Sequence, residues 1–190
     1  MILVLTTPRT GSTWFCEHLA NKHSLENLDE YFGKHEFTLE EQLAKLDYIK
    51  EHNNVVLKCF PWHLRNTRTN FNRANFLEKN VLKLADKIYI LIRSNFSDQC
   101  NSYYLAKTTN IWSGVPQEHV NVKIDYKLFD YSVNHLIDGY NQLAEYHRTL
   151  NCEVVDYDDL TFNREERYVR PVTWLNESAP IDFDVKRLFT

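Results

Sequence analysis

The sequence contains no run of about 18 apolar residues, so it offers no helical segment able to cross a bilayer, and no membrane partner is expected. It has no CxxC pair. Cys16, Cys59, Cys100 and Cys152 are scattered, which removes the clustered ligands of a structural zinc site and argues against a disulfide framework. Four reduced, mostly buried thiols in a reducing, cytoplasmic compartment are the expectation. The first residues, Met1-Ile2-Leu3-Val4-Leu5, have no basic region ahead of them and turn polar at Thr6, unlike a secretory leader. Positive charge is not in excess either: 22 Lys and Arg against 26 Asp and Glu give a net charge of −4. A non-specific nucleic-acid binder usually carries the opposite sign, so no nucleic-acid partner is expected, although a local anion pocket remains open. Repeats and low-complexity stretches are absent.

What is present suits a packed domain. Of 190 residues, 43% are apolar and 14% aromatic, and the length fits a single domain over 1–190. Four short apolar runs stand out: residues 2–6, 55–59, 87–92 and 152–155. The run Ile2-Leu3-Val4-Leu5 is continuous rather than alternating, as in a strand buried on both faces of a parallel sheet, and Ile88-Tyr89-Ile90-Leu91-Ile92 is the strongest strand of the four. Helical spacing lies between them. It runs from about Ser12 to Lys22, from the capping-box signature Thr38-Leu39-Glu40-Glu41 to about Asn53, from Phe76 to Ala85, from Asp98 to Thr108, and from Phe129 to Leu150. Residues 111–125 read as an irregular loop, and 164–190 as an irregular C-terminal tail. Strands alternating with helices predict an α/β fold: a three-layer, P-loop-like parallel sheet flanked by helices.

Two segments carry chemistry. The first is the turn Thr6-Thr7-Pro8-Arg9-Thr10-Gly11-Ser12-Thr13-Trp14 between the first strand and the first helix. A loop there directs backbone N–H groups and the positive helix end toward an anion. Gly11 allows close approach, Ser12 and Thr13 add hydroxyls, and Arg9 adds a fixed charge. A plain turn closed by a Ser/Thr cap is the structural alternative. The loop lacks the Gly-Lys-Ser/Thr ending of a Walker A motif, which weakens an NTPase reading. The second segment is Arg93, at the end of the strongest strand, followed by Gln99 and Ser102 on one helical face; Arg93 and Ser102 can clamp a second anion.

The two segments, with Val154-Val155-Asp156-Tyr157-Asp158-Asp159-Leu160, resemble the sulfotransferases that use 3′-phosphoadenylyl sulfate (PAPS). The first loop is similar to the 5′-phosphosulfate loop of that family, Thr-x-Pro-Lys/Arg-x-Gly-Ser/Thr-Thr-Trp. Arg93 and Ser102 are similar to its 3′-phosphate motif. Gln99-Cys100-Asn101-Ser102 and Asp29-Glu30-Tyr31-Phe32 resemble segments of the bacterial trehalose-type subgroup. The order and spacing agree over residues 2–160. Beyond Leu160 the Arg-Lys-Gly nucleotide loop of the family is not recognisable, and two residues after Lys58 stands Phe60 rather than the catalytic His of the cytosolic sulfotransferases.

The resemblance implies sulfuryl transfer from PAPS to an acceptor hydroxyl on a small molecule or glycan, with 3′-phosphoadenosine 5′-phosphate (PAP) as product and no metal. Arg9, Thr10, Gly11, Ser12, Thr13 and Trp14 would hold the phosphosulfate and adenine side. Arg93 and Ser102 would hold the 3′-phosphate, and Tyr157 would border the adenine. Glu30 would be the base, His63 its alternative, and Lys58 with Arg9 would face the sulfuryl oxygens. A P-loop-like kinase or NTPase, or an inactive PAP-binding module, remain as alternatives. Oligomeric state and acceptor are open.

Overall fold

The computed structural model describes residues 1–33, 37–65, 71–112, 120–160, 172–174, 181 and 183–190. Its main sheet has five parallel strands in the order β2-β3-β1-β4-β6: β1 (Ile2–Thr6), β2 (Glu26–Asn27), β3 (Val55–Cys59), β4 (Lys87–Ile92) and β6 (Glu153–Asp156). A further parallel pair joins β5 (Val120–Val122) to β7 (Val172–Trp174). The helices are α1 (Ser12–His23), α2 (Leu39–Glu51), α3 (Pro61–Leu64), α4 (Phe71–Leu84), α5 (Phe96–Thr109) and α6 (Tyr126–Thr149). All four apolar runs are strands of the parallel sheet; β1 and β3 are buried along almost their whole length, whereas the edge strand β6 is half-buried at Val154 and Val155 and exposed at Glu153.

Chain direction puts helices on both faces. The β1-to-β2 connection runs toward one edge, and the later crossovers run back toward the other. Right-handed crossovers of opposite direction lie on opposite faces. Accordingly Phe15, Cys16, Leu19 and Ala20 of α1 pack with Val4, Val56, Tyr89 and Leu91. The larger core, on the other face, joins Leu3, Leu5, Leu57 and Ile90 to Leu46, Ile49, Leu77, Val81, Tyr104, Leu136 and Leu143. Residues 2–6 split between the two cores by the strand's period of two.

The central strand β1 has β3 on one side and β4 on the other, in the registers Ile2↔Val56 and Ile2↔Lys87. The strand order reverses around it, so its carboxyl end faces a crevice, the usual place for a ligand in an open α/β sheet. Two segments read as irregular contain more order than their sequence showed. Residues 111–125 supply β5. The C-terminal tail supplies β7 and a 3₁₀ turn (Lys186–Phe189), with Val185 fully buried and Phe183 packed on Phe96 and Tyr140.

Candidate functional site

Thr6 and Thr7 close β1, and their neighbourhood is pinned from within. Thr6 Oγ1 and Thr10 Oγ1 lie 2.6 Å apart, with the Leu91 carbonyl 2.9 Å from Thr6 Oγ1 and the Thr7 carbonyl 3.0 Å from Thr10 Oγ1, so the two hydroxyl hydrogens are shared among these three contacts. The Thr10 hydroxyl is therefore turned into the loop. Arg9 adopts φ 66° and Gly11 φ 78°, the left-handed conformation that glycine takes without strain. Gly11 is the cap residue of α1, and no side chain caps this end of the helix. The Ser/Thr cap of the structural alternative is not formed. The first-turn N–H groups have no intrahelical acceptor, and no acidic residue lies among them.

Arg9 and the α5 helix meet across this crevice. Arg9 Nε donates to Ser102 Oγ at 2.9 Å, and Arg9 Nη1 donates to the Trp112 carbonyl. Arg93 Nη1 donates to the Arg9 carbonyl at 3.3 Å. The Arg93 guanidinium has Asp98 and Asp158 each at 3.7 Å, close enough for charge compensation but too far for a hydrogen bond. Its Nε is buried without a hydrogen-bond partner among the described residues.

The turn after β6 organises the same edge. Asp156 accepts the Ser94 N–H at 3.1 Å and the Asp158 N–H at 3.0 Å, and Asp158 accepts the Asn95 N–H at 2.7 Å. Lys186 pairs with Asp156 at 3.0 Å and Asp159 at 2.9 Å. Tyr157 lies against the loop: a Cβ added to Gly11 would sit 2.2 Å from its ring. The Arg93 guanidinium is 5.7 Å from the centre of that ring.

On the other side of β1, Lys58 sits inside β3, opposite Val4, and is 2% exposed. Its Nζ donates to Thr13 Oγ1 at 3.1 Å and pairs with Asp29 at 2.6 Å and Glu30 at 3.1 Å. Burial alone would lower the Lys58 pKa; the hydrogen bond it donates to Asp29 and the charges of both carboxylates outweigh it and raise the pKa above its ordinary value. The short strand β2 carries these carboxylates to their place. Leu28 N–H donates to the Val56 carbonyl and Lys58 N–H to the Asp29 carbonyl, which extends the pairing as far as Asp29 at φ 48°. Lys45 of α2 then holds the following turn, donating to the Tyr31 carbonyl at 2.7 Å and lying 3.6 Å over the Tyr31 ring.

The sequence-derived candidates thus form two groups on one loop: Arg9, Gly11, Arg93, Ser102 and Tyr157 on one side, and Thr13, Lys58 and Glu30 on the other. Ser12 is buried between them at the start of α1. His63 Nδ1 accepts the Phe60 N–H at 3.4 Å, and its ring packs on Phe60 and Trp62. Trp14 faces outward from α1 and stacks on His18 at 5.0 Å, so it does not fill the core. The arginines 164, 167 and 170 lie outside the described residues.

One functional arrangement was invisible in the sequence. Tyr140 OH accepts the Arg93 N–H at 3.0 Å and donates to Gln99 Oε1 at 2.6 Å; Gln99 Nε2 donates to Thr7 Oγ1 at 2.9 Å and to the Pro8 carbonyl at 2.6 Å. Gln99 and Tyr140 are fully buried, so this chain of bonds fixes Arg93 relative to the loop. Helical spacing marks Tyr140 only as a core aromatic.

No protein-family model matches the chain, and no curated protein matches it. Among the described residues no cluster of three or more His, Cys, Asp or Glu could hold a metal ion, and no helix is long and apolar enough to cross a membrane.

Proposed function

We propose that the chain is a PAPS-dependent sulfotransferase that moves a sulfuryl group to an acceptor hydroxyl. The observation that carries this reading is the 2.9 Å bond from Arg9 Nε to Ser102 Oγ beside an uncapped helix start. It brings the anion-binding groups of two distant motifs into one crevice, as a nucleotide bearing phosphates at both ends requires. The buried Arg93 Nε, with no hydrogen-bond partner among the described residues, supports a further anion contact there. No metal is chemically needed for the transfer.

In this reading the helix N–H groups, Arg9 and Lys58 stabilise charge as it shifts onto the bridging oxygen of the donor. The acceptor oxygen attacks sulfur in line with that oxygen. The new O–S bond forms as the bond to the phosphate breaks, the acceptor proton passes to Glu30, and PAP leaves with the electron pair of the broken bond.

Calorimetry with PAP and with adenosine monophosphate tests the nucleotide site. PAP should bind more tightly, and Arg93→Ala should weaken PAP by about 2 kcal/mol or more while barely affecting the monophosphate. Equal affinities would defeat the 3′-phosphate assignment. PAPS consumption over a panel of hydroxyl acceptors tests transfer itself; PAP binding with no turnover on any acceptor would leave a binding module.

A further inference from the structure

Beside Arg9 and Ser102, helices α3, α5 and α6 gather aromatic rings around one imidazole. The His135 ring centre lies 4.4 Å from that of Trp62, 5.7 Å from Tyr103 and 6.1 Å from Tyr131. It is nearly parallel to both tyrosines, at 14° and 6°. Trp112 meets Tyr103 at 5.8 Å. The cluster is continuous with the crevice. Tyr103 follows Ser102, and Arg9 donates to both Ser102 and the Trp112 carbonyl. Gly139, one turn beyond His135, is so close to its neighbours that a Cβ would lie 2.8 Å from Thr7 and 3.2 Å from Trp62.

Three properties of this cluster point to a ligand. Its outer rings are open, with Trp112 45% and Tyr131 57% exposed. The Lys107 ammonium lies 4.2 Å over the Tyr131 ring and 5.2 Å over Tyr103, with no carboxylate paired to it among the described residues. Half-buried His135 has no hydrogen-bond partner for either ring nitrogen among the described residues. Burial and the nearby Lys107 charge, against a smaller opposite effect of Asp138, hold its pKa below the ordinary value. A neutral imidazole offers one donor and one acceptor, which suits a hydroxyl.

Taking the chain as a sulfotransferase, we propose that Trp62, Tyr103, Trp112, Tyr131, His135 and Lys107 form the acceptor subsite and that its ligand is an acidic saccharide. Aromatic faces cover the apolar faces of sugar rings while the ring hydroxyls stay hydrogen-bonded. Lys107, with no carboxylate partner among the described residues, supplies the charge complement for a carboxylate. The openness of Trp112 and Tyr131 fits an oligomer crossing the surface; a small phenol is normally enclosed by its pocket over most of its area.

The test is direct binding to the full chain without donor, read by tryptophan fluorescence and calorimetry, using an oligogalacturonate, neutral maltohexaose and 4-nitrophenol. The oligogalacturonate should bind roughly tenfold or more tighter than maltohexaose or the phenol. Trp112→Ala and Tyr131→Ala should each weaken it about tenfold. Lys107→Met should abolish the preference for the acidic oligomer, and Lys107→Arg should keep it. Equal binding of acidic and neutral oligomers, tighter binding of the phenol, or insensitivity to these substitutions would overturn the proposal. A PAP titration on the same protein separates the two readings. PAP binding without oligogalacturonate binding removes this subsite and leaves the nucleotide site standing. Oligogalacturonate binding without PAP binding overturns the acceptor role, because no donor site would then adjoin the surface.

Discussion

Lys58 and Glu30 are joined at 3.1 Å, and the same ammonium holds Thr13 of the first turn of α1 at 3.1 Å. A buried cation therefore links the proposed base to the proposed phosphosulfate loop. Asp29, at 2.6 Å, is a second counter-charge for that cation, so Glu30 can be changed without leaving Lys58 unpaired.

Glu30→Gln should fold normally, bind PAP nearly as the parent does, and lose about 10² to 10⁴ in turnover, the usual cost of removing a general base. Steady-state rates beside PAP calorimetry check this. Near-full activity in Glu30→Gln together with a dead His63→Ala would move the base to His63.

Removing both carboxylates should be worse than removing the cation. Asp29→Asn with Glu30→Gln strands a buried ammonium, a change that costs about 3–5 kcal/mol. Lys58→Met leaves carboxylates that are 51% and 38% exposed and that water can hydrate, so its cost should be about 1 kcal/mol. Urea denaturation of the two variants gives the order, and the reverse order refutes the ion-pair account.

Gly11→Ala combines two penalties. The left-handed φ of 78° costs a side chain about 1–2 kcal/mol, and pressing the new methyl into Tyr157 adds about 1–3 kcal/mol. Adding Tyr157→Ala should recover only the second part. A double-mutant cycle with no coupling between the two positions would show that the ring does not constrain the loop.

Tyr140→Phe should destabilise the fold by about 1–3 kcal/mol, because the buried Arg93 N–H and Gln99 Oε1 each lose a partner. It should also weaken PAP, since the bonds that fix Arg93 against the Thr7–Pro8 turn are broken. Unchanged PAP affinity in a destabilised variant would reduce Tyr140 to a core residue.

Acid sensitivity should trace in part to Asp156. Burial alone would raise its pKa, but the N–H groups and hydroxyl around it and the Lys186 ammonium prevail and hold it below its ordinary value of 3.8. A group whose folded pKa is depressed stabilises the fold above its unfolded pKa and loses that contribution as pH falls through the folded value. Thermal melts should therefore fall steeply below about pH 4, and Asp156→Asn should be less stable at pH 7 with a flatter acid limb. A parallel loss of stability in both proteins from pH 7 to 3 would contradict this.

The strands β1, β3 and β4 were legible because burial on two faces leaves a mainly apolar run, and the edge strand β6 showed only as Val154-Val155. The strand β2 was not: Glu26 and Asn27 are polar, and they are a strand only because β3 offers them an edge. The capping box at Thr38–Glu41 was visible and is formed, with reciprocal bonds of 3.1 and 2.7 Å. The turn between β1 and α1 was visible through Pro8, Gly11 and the following helix period. The outward placement of the Trp14 ring on His18 was not legible, because helical spacing alone does not say which side of α1 the ring takes. Gln99 reaches a partner 92 residues away, and no local pattern encodes such a bond.

The place of β1 at the centre of the sheet has a kinetic side. Thr6 Oγ1 meets the Leu91 carbonyl, 85 residues further along the chain, and the whole turn between β1 and α1 hangs from that junction. Closing so long a stretch of chain must precede the contacts that reward it, which makes parallel pairing of this kind slow. Refolding rates should thus respond more to truncation of Leu3 or Leu5 than to equal truncations in α2, and the ligand crevice should be among the last features to mature. Its geometry is inherited from the most non-local contacts of the molecule, so recovery of PAP binding during refolding should lag behind recovery of helical signal.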